Sequence, residues 1–574
     1  MSAHLLAIAV GPVQDFIAAA RRTRDLWFGS QLLSELSRAG AEAVARHGTL
    51  IFPAPEPPRP QNVANVILSE LRADASPSDA ARDARRAVID CWRRHAADAK
   101  ETVSALIREE IWDEQVDGVV EFYAAWTGLS EGGYREARKR VMRLLAARKA
   151  CRDFEVPKAD RPGVPKSSLD GARESVWKDP AHTPQIEGQL ALRLRLSPGE
   201  QLDVVGLTKR ISGGRKNYPS VSRIAADPWL RGAANAQPKA MDELKAACDE
   251  LAKAHRLARV DWPEFDAFPY EGTAVYSHRH KEIIEETHCP ESALADLRKR
   301  LNTVAQHRRH PEPYLAVLAA DGDQMGKAIS AMSSANQHRD FSRLLAGFAA
   351  HAAGIVRSHH GCLVYSGGDD VLAFLPLDEC LPCARELHQA FRTTMQSGPA
   401  LTEQPTLSVG LGLGHFMDPL EDLLEYARAA EKAAKRPDRD GLAIHLHPRS
   451  GAPICMRRRW GDDPDQRIER WAALLLSERI SDKSAYDLRD LARDYHNWPA
   501  ETDEEKSVLA RAIRTDAARL LARKARDRED ASVQELEQLI AAAKSADQLE
   551  EAAKEVLIAR RIARAQRQAS GGRS

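Results

Sequence analysis

The chain has 574 residues, enough for roughly three or four domains of ordinary size. Its 83 basic and 83 acidic residues cancel, which excludes a global field that attracts nucleic acid and leaves only local contacts of that kind. Eight scattered cysteines with one C-x-x-C pair indicate reduced thiols, and no apolar run approaches the roughly 18 residues that span a bilayer, so we expect a cytoplasmic protein without a membrane contact.

The first half of the chain mixes short strand signals with Ala-rich helical sequence. Helical periodicity predicts a helix from Val13 to about Arg46 and helical structure from about Ser69 to Arg152. Apolar runs predict strands over residues 5–10, 49–52, 190–196 and 202–207.

The segment from Tyr314 to Leu446 alternates strands and helices more clearly. Strands are predicted over residues 314–320, 362–366, 371–375, 406–413 and 442–446, with helical sequence between them. The order β-α-β-β-α-β is that of the ferredoxin-like unit, which is also the core of polymerase and cyclase palm domains. That fold alone does not decide function. From about Pro464 to Ala569 the sequence is almost wholly helical.

Carboxylates occur at two places in this segment, after one predicted strand and in the turn between two others. The predicted hairpin has the tip Gly367-Gly368-Asp369-Asp370, and the strand before it runs into Asp321-Gly322-Asp323. Mg²⁺ takes oxygen ligands and shares them with phosphates, and two such ions about 3.5–4 Å apart can promote nucleotidyl transfer. We therefore expect Asp321, Asp369 and Asp370 to be catalytic, and these three with Asp323 to hold two Mg²⁺ or Mn²⁺ ions beside a nucleoside triphosphate.

Small and basic residues around the acids are candidates for nucleotide binding. Glycines can take a positive φ and keep side chains out of the approach path of a phosphate. The candidate nucleotide-binding residues are Gly322, Gly326, Lys327, Ser366, Gly367, Gly368 and Lys435. A Gly-Gly-Asp-Asp turn alone is also a common solvated hairpin tip, and for the two lysines a solvated helix charge stays an open alternative.

Several motifs in the same order resemble those of one family. They are Gly11–Ile17 with Ala20–Trp27, Arg148-Lys149 with Pro165–Gly171, Leu207–Arg210 with Tyr218–Ser220, Asp321–Lys327, and the Gly367–Asp370 turn. With these motifs the chain resembles the large polymerase/cyclase-like subunit of type III-B (Cmr) CRISPR effector complexes over residues of about 5 to 450. The C-terminal helical region matches by position and composition only.

The resemblance implies a fold class and a domain plan. The class is α+β, with two ferredoxin-like palm domains, a helical insertion and a C-terminal all-helical domain. The implied boundaries are 1–68 and 186–300 for a split, degenerate first palm, 69–185 for the insertion, 301–455 for the second palm and 456–574 for the C-terminal domain. The first strand ends in Gly11-Pro12-Val13-Gln14 without paired carboxylates, so we expect the second palm alone to bind metal.

The resemblance also implies an activity. Family members convert ATP to cyclic oligoadenylate with a divalent metal when a guide CRISPR RNA has bound its target RNA, and they assemble with backbone and small subunits of the complex. Two alternatives stay open: a non-catalytic scaffold subunit that binds guide and target RNA, and adenylyl transfer to a different acceptor. A homodimeric dinucleotide cyclase is a third reading, against which the built-in second palm argues.

Two motifs that many relatives carry are not found in this sequence. Many begin with a His-Asp nuclease domain, but none of the 19 histidines here is followed by Asp, so we expect no nuclease activity of that type. Relatives often carry a zinc site of paired cysteines in the insertion. Here that segment has Cys91 and Cys151, which form no pair, and the C-x-x-C residues Cys380 and Cys383 lack the second pair of a structural zinc site. We therefore expect no zinc.

Three basic clusters are candidates for RNA contacts. They are Arg21, Arg22 and Arg24; Arg135, Arg138, Lys139, Arg140, Arg143 and Arg148; and the helix from Arg560 to Arg567. Each cluster is suited to phosphates, and each has the alternative of a solvated helix face or a protein contact.

Overall fold

A computed structural model describes residues 3–53, 64–129, 133–151, 161–179, 184, 186–214, 218–306, 308, 310–398, 403–524, 538–541 and 543–571. The strands are β1 His4–Gly11, β2 Gly48–Phe52, β3 Val66–Leu71, β4 Glu121–Gly128, β5 Tyr314–Gly322, β6 Cys362–Gly367, β7 Asp370–Pro376, β8 Leu407–His415, β9 Gly441–Leu446 and β10 Ile454–Arg459. The helices are α1 Gln14–Ala18, α2 Thr23–Ala45, α3 Pro77–Val103, α4 Glu109–Val116, α5 Gly133–Ala150, α6 Gly188–Leu194, α7 Val204–Gly213, α8 Val221–Ala236, α9 Pro238–Lys253, α10 His280–Thr287, α11 Ala295–Ala305, α12 Met325–Ala331, α13 Ala335–Ser358, α14 Cys380–Gln396, α15 Leu420–Ala434, α16 Pro464–Leu476, α17 Ser484–His496, α18 Asp503–Lys524 and α19 Ala546–Ala569.

The first sheet has the antiparallel order β2-β3-β1-β4, which is the ferredoxin-like arrangement. Its central strand β1 is buried on both faces, because α2 and α3 cover one face and α5 covers the other. Successive residues of a strand point to opposite faces. Leu6 and Ile8 therefore pack with the α2–α3 side, and Leu5 and Ala7 pack with Val141 of α5. Burial on both faces explains why β1 reads as an unbroken apolar run.

The division of the first palm differs from the prediction. Strand β4 lies inside 69–185, the segment predicted as a helical insertion, and it completes the sheet by pairing with β1. The strands predicted over 190–196 and 202–207 are wrong, because α6 and α7 occupy these positions. The sheet thus closes within residues 4–128, and in the described part of 186–300 no strand joins it, which does not fit a first palm split between 1–68 and 186–300.

Burial explains why α7 was mistaken for a strand. Every residue of α7 is buried, Lys209 and Arg210 included, and its first residues form a short apolar run that cannot be distinguished from a strand by periodicity. Its start is nevertheless encoded, because the Asp203 carboxylate accepts a hydrogen bond from the Gly206 amide at the N-terminus of the helix. Inside this buried helix, the Lys209 ammonium donates to the carbonyl oxygen of Ala19 at 2.7 Å, and Arg210 pairs with Asp25 at 2.7 Å. These contacts join the N-terminal motifs, Gly11–Ile17 with Ala20–Trp27, to the Leu207–Arg210 motif.

The second sheet has the order β10-β9-β8-β5-β7-β6. Its core β8-β5-β7-β6 is antiparallel and repeats the ferredoxin-like order, while β9 runs parallel to β8 and β10 pairs antiparallel with β9. The predicted order β-α-β-β-α-β and the α+β class are confirmed. In the β5–β7 register Ala320 lies opposite Val371, so the end of β5 meets the hairpin tip.

Helices connect the palms and follow the second palm. Helix α8 packs against β5 and β7, and nearby the Tyr218 hydroxyl donates to the carbonyl oxygen of Cys362 at 2.9 Å. After β10 the secondary structure is helical in the described residues, as predicted. Buried Glu555 of α19 fastens these helices to the second palm, because it accepts from Arg467 of α16 at 3.0 Å and pairs with Arg458 of β10 at 2.5 Å.

The two palms contact each other directly through α13 of the second palm. The Tyr134 hydroxyl of α5 lies 2.6 Å from Nδ1 of His338, and Arg339 pairs with Glu70 of β3 at 2.7 Å. Burial, followed by the charge of Arg138, lowers the pKa of His338 to about 4. Among the described residues, no helix combines the length and the apolar character needed to cross a bilayer.

Candidate metal and nucleotide site

Three carboxylates converge where β5 meets the hairpin tip. Asp321, Asp369 and Asp370 each offer an oxygen atom, and these atoms all lie within 4.8 Å of one another. The convergence follows from topology, because β7 pairs with β5 and the β6–β7 turn brings Asp369 over the end of β5. The structure thus brings together the three residues that the sequence indicated as catalytic.

Two of the predicted glycines are required by this geometry. A Cβ atom on Gly322 would lie 2.8 Å from Cβ and 2.9 Å from Oδ2 of Asp369, closer than such atoms approach. Gly368 has a φ of +76°, which favours glycine at the tip of the turn. A Cβ on Gly326 would meet nothing within 4 Å, and one on Gly367 only the Tyr365 ring at 3.7 Å. Gly322 is therefore the residue that permits Asp369 to approach β5.

The crowded acids have strongly perturbed pKa values. Burial, and then the charge of Asp321, raises the pKa of Asp369 to about 7. Burial, a hydrogen bond with Asp321 and the charges of both neighbours raise the pKa of Asp370 to about 9. Burial also opposes ionisation of Asp321, but hydrogen bonds from Asp370 and Lys435 outweigh it and lower the pKa of Asp321. Three carboxylates that resist simultaneous ionisation fit the oxygen donor set of a divalent cation.

The two candidate lysines have different surroundings. Lys435 follows α15, and its ammonium contacts the Asp321 carboxylate and lies 2.6 Å from Oε1 of Glu431. The side chain of Lys327 is 75% exposed and lies 3.4 Å from Glu403, so the structure does not bring it to the three acids. For Lys327 the solvated alternative therefore fits better. The hydroxyl of Ser366 is buried beside the hairpin without a hydrogen-bond partner.

Asp323, the fourth predicted metal ligand, does not join the other three acids. It is 2% exposed. Its carboxylate accepts from the hydroxyls of Thr406 at 2.7 Å and Ser408 at 2.8 Å, and from the amide of Asp440 at 3.1 Å. These three protein donors occupy acceptor positions of the carboxylate and hold it in place. The Asp-Gly-Asp spacing could not reveal this, because the donors come from distant parts of the chain.

A cavity of about 930 Å³ opens between α5 of the first palm and α12 of the second palm. Gly326, Ile329 and Ser330 form part of one wall, on the helix that begins directly after Asp321–Asp323. The opposite wall is mainly basic and partly apolar, and its α5 residues are Arg135, Glu136, Arg138, Lys139, Met142, Arg143 and Ala146. The sequence indicates these cations as a basic cluster, but it does not predict that they line this cavity. Cationic and apolar surfaces together suit the phosphates and base of a nucleotide.

The other two basic clusters are engaged within the protein. Arg22 pairs with Glu286 at 2.9 Å, and Arg24 donates to the carbonyl oxygen of Leu192 at 3.2 Å. On α19, Arg560 and Arg564 both pair with Asp482 at 3.1 Å. By contrast, Arg135, Lys139, Arg140 and Arg143 of α5 are exposed. Arg21, Arg22 and Arg24 also line a cavity, of about 530 Å³, whereas the exposed α5 cations Arg135, Lys139 and Arg143 line the cavity between the two palms.

Two palm sheets, one with acids at its hairpin tip, define a palm-domain protein of the polymerase and cyclase class. Residues 314–443 match the family "Cas10/Cmr2, second palm domain". Residues 5–113 match the family "CRISPR-associated protein Cmr2, N-terminal". The chain is 31% identical over 244 residues to the CRISPR system Cmr subunit Cmr2 of Pyrococcus furiosus. Two segments of the chain, residues 5–113 and 314–443, are thus similar to parts of Cmr2 proteins.

The extent of each similarity limits what it shows. The alignment with the Pyrococcus protein covers 37% of this chain and 28% of that protein, so the chain matches about a quarter of this relative's length. The structure of the type III-B Cmr-beta in its apo state has a TM-score of 0.63 at 13% identity, covering 92% of this chain and 78% of that chain. Cmr-beta bound to cognate target RNA gives the same score and identity, with 92% and 79% covered. At this identity the structures show a shared fold.

Proposed function

We propose that the chain is the large subunit of a type III-B CRISPR RNA-guided defence complex and acts as a target-RNA-activated nucleotidyltransferase. In this proposal it converts ATP to cyclic oligoadenylate. The observation that carries the proposal is the convergence of Asp321, Asp369 and Asp370 within 4.8 Å on a palm hairpin. The match to the Cas10/Cmr2 second palm domain supports it.

Asp321, Asp369 and Asp370 would hold Mg²⁺ or Mn²⁺, because they present clustered oxygen donors with few other partners. Bound divalent cations would neutralise triphosphate charge and lower the pKa of the attacking ribose hydroxyl. The protein then needs no separate general base at this point. Its own contribution is to hold the carboxylates on β5 and the tight β6–β7 turn, elements that fix geometry better than loops.

The surroundings of the acids supply the remaining parts of a nucleotide site. Lys435 would exchange its contact with Asp321 for the triphosphate once a metal ion neutralises that carboxylate. The cavity between α5 and α12 would receive a nucleotide, with Arg135, Lys139 and Arg143 near its phosphates. Gly326 leaves that wall open because no side chain projects from it. The first palm would thus line the site without binding metal.

The partners in this proposal are the backbone and small subunits of the complex, the guide CRISPR RNA and the target RNA. The solved relatives are described as type III-B Cmr-beta, in one case bound to cognate target RNA. The shared fold over 92% of this chain supports the same assembly here. Arg140, an exposed cation of α5 that does not line the cavity between α5 and α12, is a candidate for RNA phosphate contacts outside the active site.

The test is the variant Asp369→Ala with Asp370→Ala in the assembled complex. We expect normal assembly and loss of labelled-ATP conversion in the presence of target RNA. A matched control is Asp503→Ala with Glu504→Ala, which removes two adjacent exposed acids from α18 and should leave conversion unchanged. Unchanged conversion in the first variant would refute the proposal. Assembly without any ATP conversion by the wild type would favour the scaffold function, and mass spectrometry of the product distinguishes cyclic oligoadenylate from a different adenylylated acceptor.

A further inference from the structure

Asp323 connects the acid-bearing end of β5 to the loop that carries Lys435. The segment Asp321–Asp323 makes two contacts with this loop region: Asp321 contacts the Lys435 ammonium, and Asp323 accepts from the Asp440 amide. The loop between Lys435 and Gly441 is therefore held at both of its ends by one three-residue segment. Asp323 also fixes this segment to β8, because its own amide donates to the carbonyl oxygen of Thr406 at 2.7 Å.

The loop has a conformation that needs such support. Arg439 and Asp440 both have positive φ values, +61° and +46°, although neither is glycine. Left-handed backbone in such residues costs about 1–2 kcal/mol each and persists only where neighbouring groups enforce it. Besides Asp323, the supports include His388, which lies 2.9 Å from Oδ1 of Asp440, and Arg457, which donates to the carbonyl oxygen of Arg439 at 2.8 Å. The amide of Trp460 also donates to the carbonyl oxygen of Asp440, at 2.9 Å. Asp323 is the one support that lies next to the catalytic acids in sequence.

We infer that Asp323 is a positioning residue that sets the place of Lys435 relative to Asp321. This inference rests on the proposed function. The carboxylate orders the Asp440 end of the loop, and the ordered loop limits where the Lys435 ammonium can reach. When a triphosphate binds, this order keeps Lys435 within reach of its phosphates. Asp323 itself touches neither metal nor nucleotide.

A carboxylate suits this role better than its neutral counterpart. The Thr406 and Ser408 hydroxyls and the Asp440 amide all donate to Asp323. An asparagine would keep an acceptor oxygen for Thr406 and the Asp440 amide, which both donate to Oδ2, but its NH₂ group in place of Oδ1 would force the Ser408 hydroxyl to accept. A neutral acceptor also binds its donors less strongly than a carboxylate does, so Asp323→Asn weakens the loop anchor while it preserves size and burial.

The experiment is a double-mutant cycle on the complete chain with Asp323→Asn and Lys435→Ala. The readouts are Mn²⁺ affinity by electron paramagnetic resonance and affinity for a non-hydrolysable ATP analogue with Mn²⁺. We expect Asp323→Asn to leave Mn²⁺ affinity at the wild-type value and to lower analogue affinity about tenfold, as a small displacement of a positioning group does. In the Lys435→Ala background, Asp323→Asn should cause no further loss of analogue affinity.

Two results would overturn the inference. A loss of Mn²⁺ affinity equal to that of Asp369→Ala would make Asp323 a metal ligand. Additive effects of Asp323→Asn and Lys435→Ala on analogue affinity would show that Asp323 acts independently of Lys435. If Asp323→Asn does not fold, Ser408→Ala weakens the same carboxylate network while keeping the charge and should give a smaller loss in the same direction.

Hydrogen exchange separates this inference from the proposed function. Exchange in the peptide 436–441 should accelerate in Asp323→Asn relative to the wild type, whether or not the protein converts ATP. Failure of the wild-type complex to convert ATP would refute the proposed function and leave the exchange result to decide on the anchor. Unchanged exchange in Asp323→Asn would refute the anchor even in an active enzyme.

Discussion

The ammonium of Lys435 contacts the carboxylate of Asp321 at the point where β5 ends. This contact places a cation beside three crowded acids, two of which resist ionisation. It joins the C-terminus of α15 to the same segment that contributes Asp321 to the cluster. The charge balance of the site therefore depends on a lysine more than a hundred residues away in sequence.

Replacement of Lys435 by alanine should impair nucleotide use more than metal binding. Asp321, Asp369 and Asp370 stay in place, so Mn²⁺ affinity should stay at or above the wild-type value, because a competing cation is gone. The KM for ATP should rise about tenfold, since one phosphate-neutralising charge is lost. Steady-state kinetics of the target-bound complex measure this, with Lys435→Arg as a charge-preserving control. An unchanged KM would contradict the phosphate-binding role of Lys435.

Alanine at Gly322 and at Gly326 should have opposite consequences, although the two glycines are only four residues apart. In Gly322→Ala the new Cβ would lie 2.8 Å from Cβ of Asp369, so the hairpin must move and Mn²⁺ affinity should fall at least about tenfold. In Gly326→Ala the Cβ meets nothing within 4 Å. Alanine there should raise stability by about 0.5–1 kcal/mol, because glycine is a poor helix former.

Calorimetric titration with Mn²⁺ and thermal unfolding check this pair. Equal Mn²⁺ affinity in Gly322→Ala and the wild type would show that close approach of Asp369 to β5 is not required. A lower Tm in Gly326→Ala would show that the space beside α12 is filled in solution.

The contact between Tyr134 and His338 predicts a pH dependence of stability. The pKa of His338 is lowered to about 4 from an ordinary value of 6.5, by burial and by Arg138. At pH values above 6.5 the residue is neutral in both folded and unfolded chains and has no effect. As the pH falls from 6.5 to 4 only the unfolded chain gains the proton, so the folded state loses about 2–3 kcal/mol.

Denaturant titrations between pH 7.5 and 4.5 measure this effect in the wild type and in His338→Gln. The glutamine variant should lose less stability over this interval than the wild type does. Identical pH profiles of the two proteins would contradict the burial of neutral His338 between the palms.

Buried Glu555 should be a point of weakness in the C-terminal helices. Glu555→Ala leaves Arg458, Arg467 and the Trp471 indole without their shared acceptor. Removing one partner of a buried ion pair costs about 3–5 kcal/mol. The matched control is Glu551→Ala on the same helix, which breaks a partly exposed pair with Lys554 worth about 0.5 kcal/mol. Thermal unfolding compares them, and equal Tm values would contradict the structural role of Glu555.

Local sequence was sufficient for some parts of the site and not for others. The Gly-Gly-Asp-Asp tip and Asp321 were predictable, because strand signals and turn glycines fix both within a few residues of the acids. The role of Asp323 was not, since its partners Thr406, Ser408 and Asp440 are more than 80 residues away. The position of Lys327 was not predictable either, because it lies near the acids in sequence but its side chain is at the surface.

Strand β4 shows the corresponding limit for the fold. Its sequence Glu121–Gly128 lies between Ala- and Arg-rich helices, and only pairing with β1 identifies it as part of the first sheet. Helix α7 gave the opposite error, because the apolar run at its start is too short to distinguish a buried helix from a strand. Both errors arose where long-range packing determines the structure more than local propensity does.

Manganese anomalous scattering tests the central claim most directly. Crystals of the complete chain would be grown with Mn²⁺ and a non-hydrolysable ATP analogue. The account predicts manganese peaks bounded by Asp321, Asp369 and Asp370, with two ions about 3.5–4 Å apart when the triphosphate is bound, and no manganese at Asp323. Absence of manganese from the three acids, with the analogue bound elsewhere, would contradict the account.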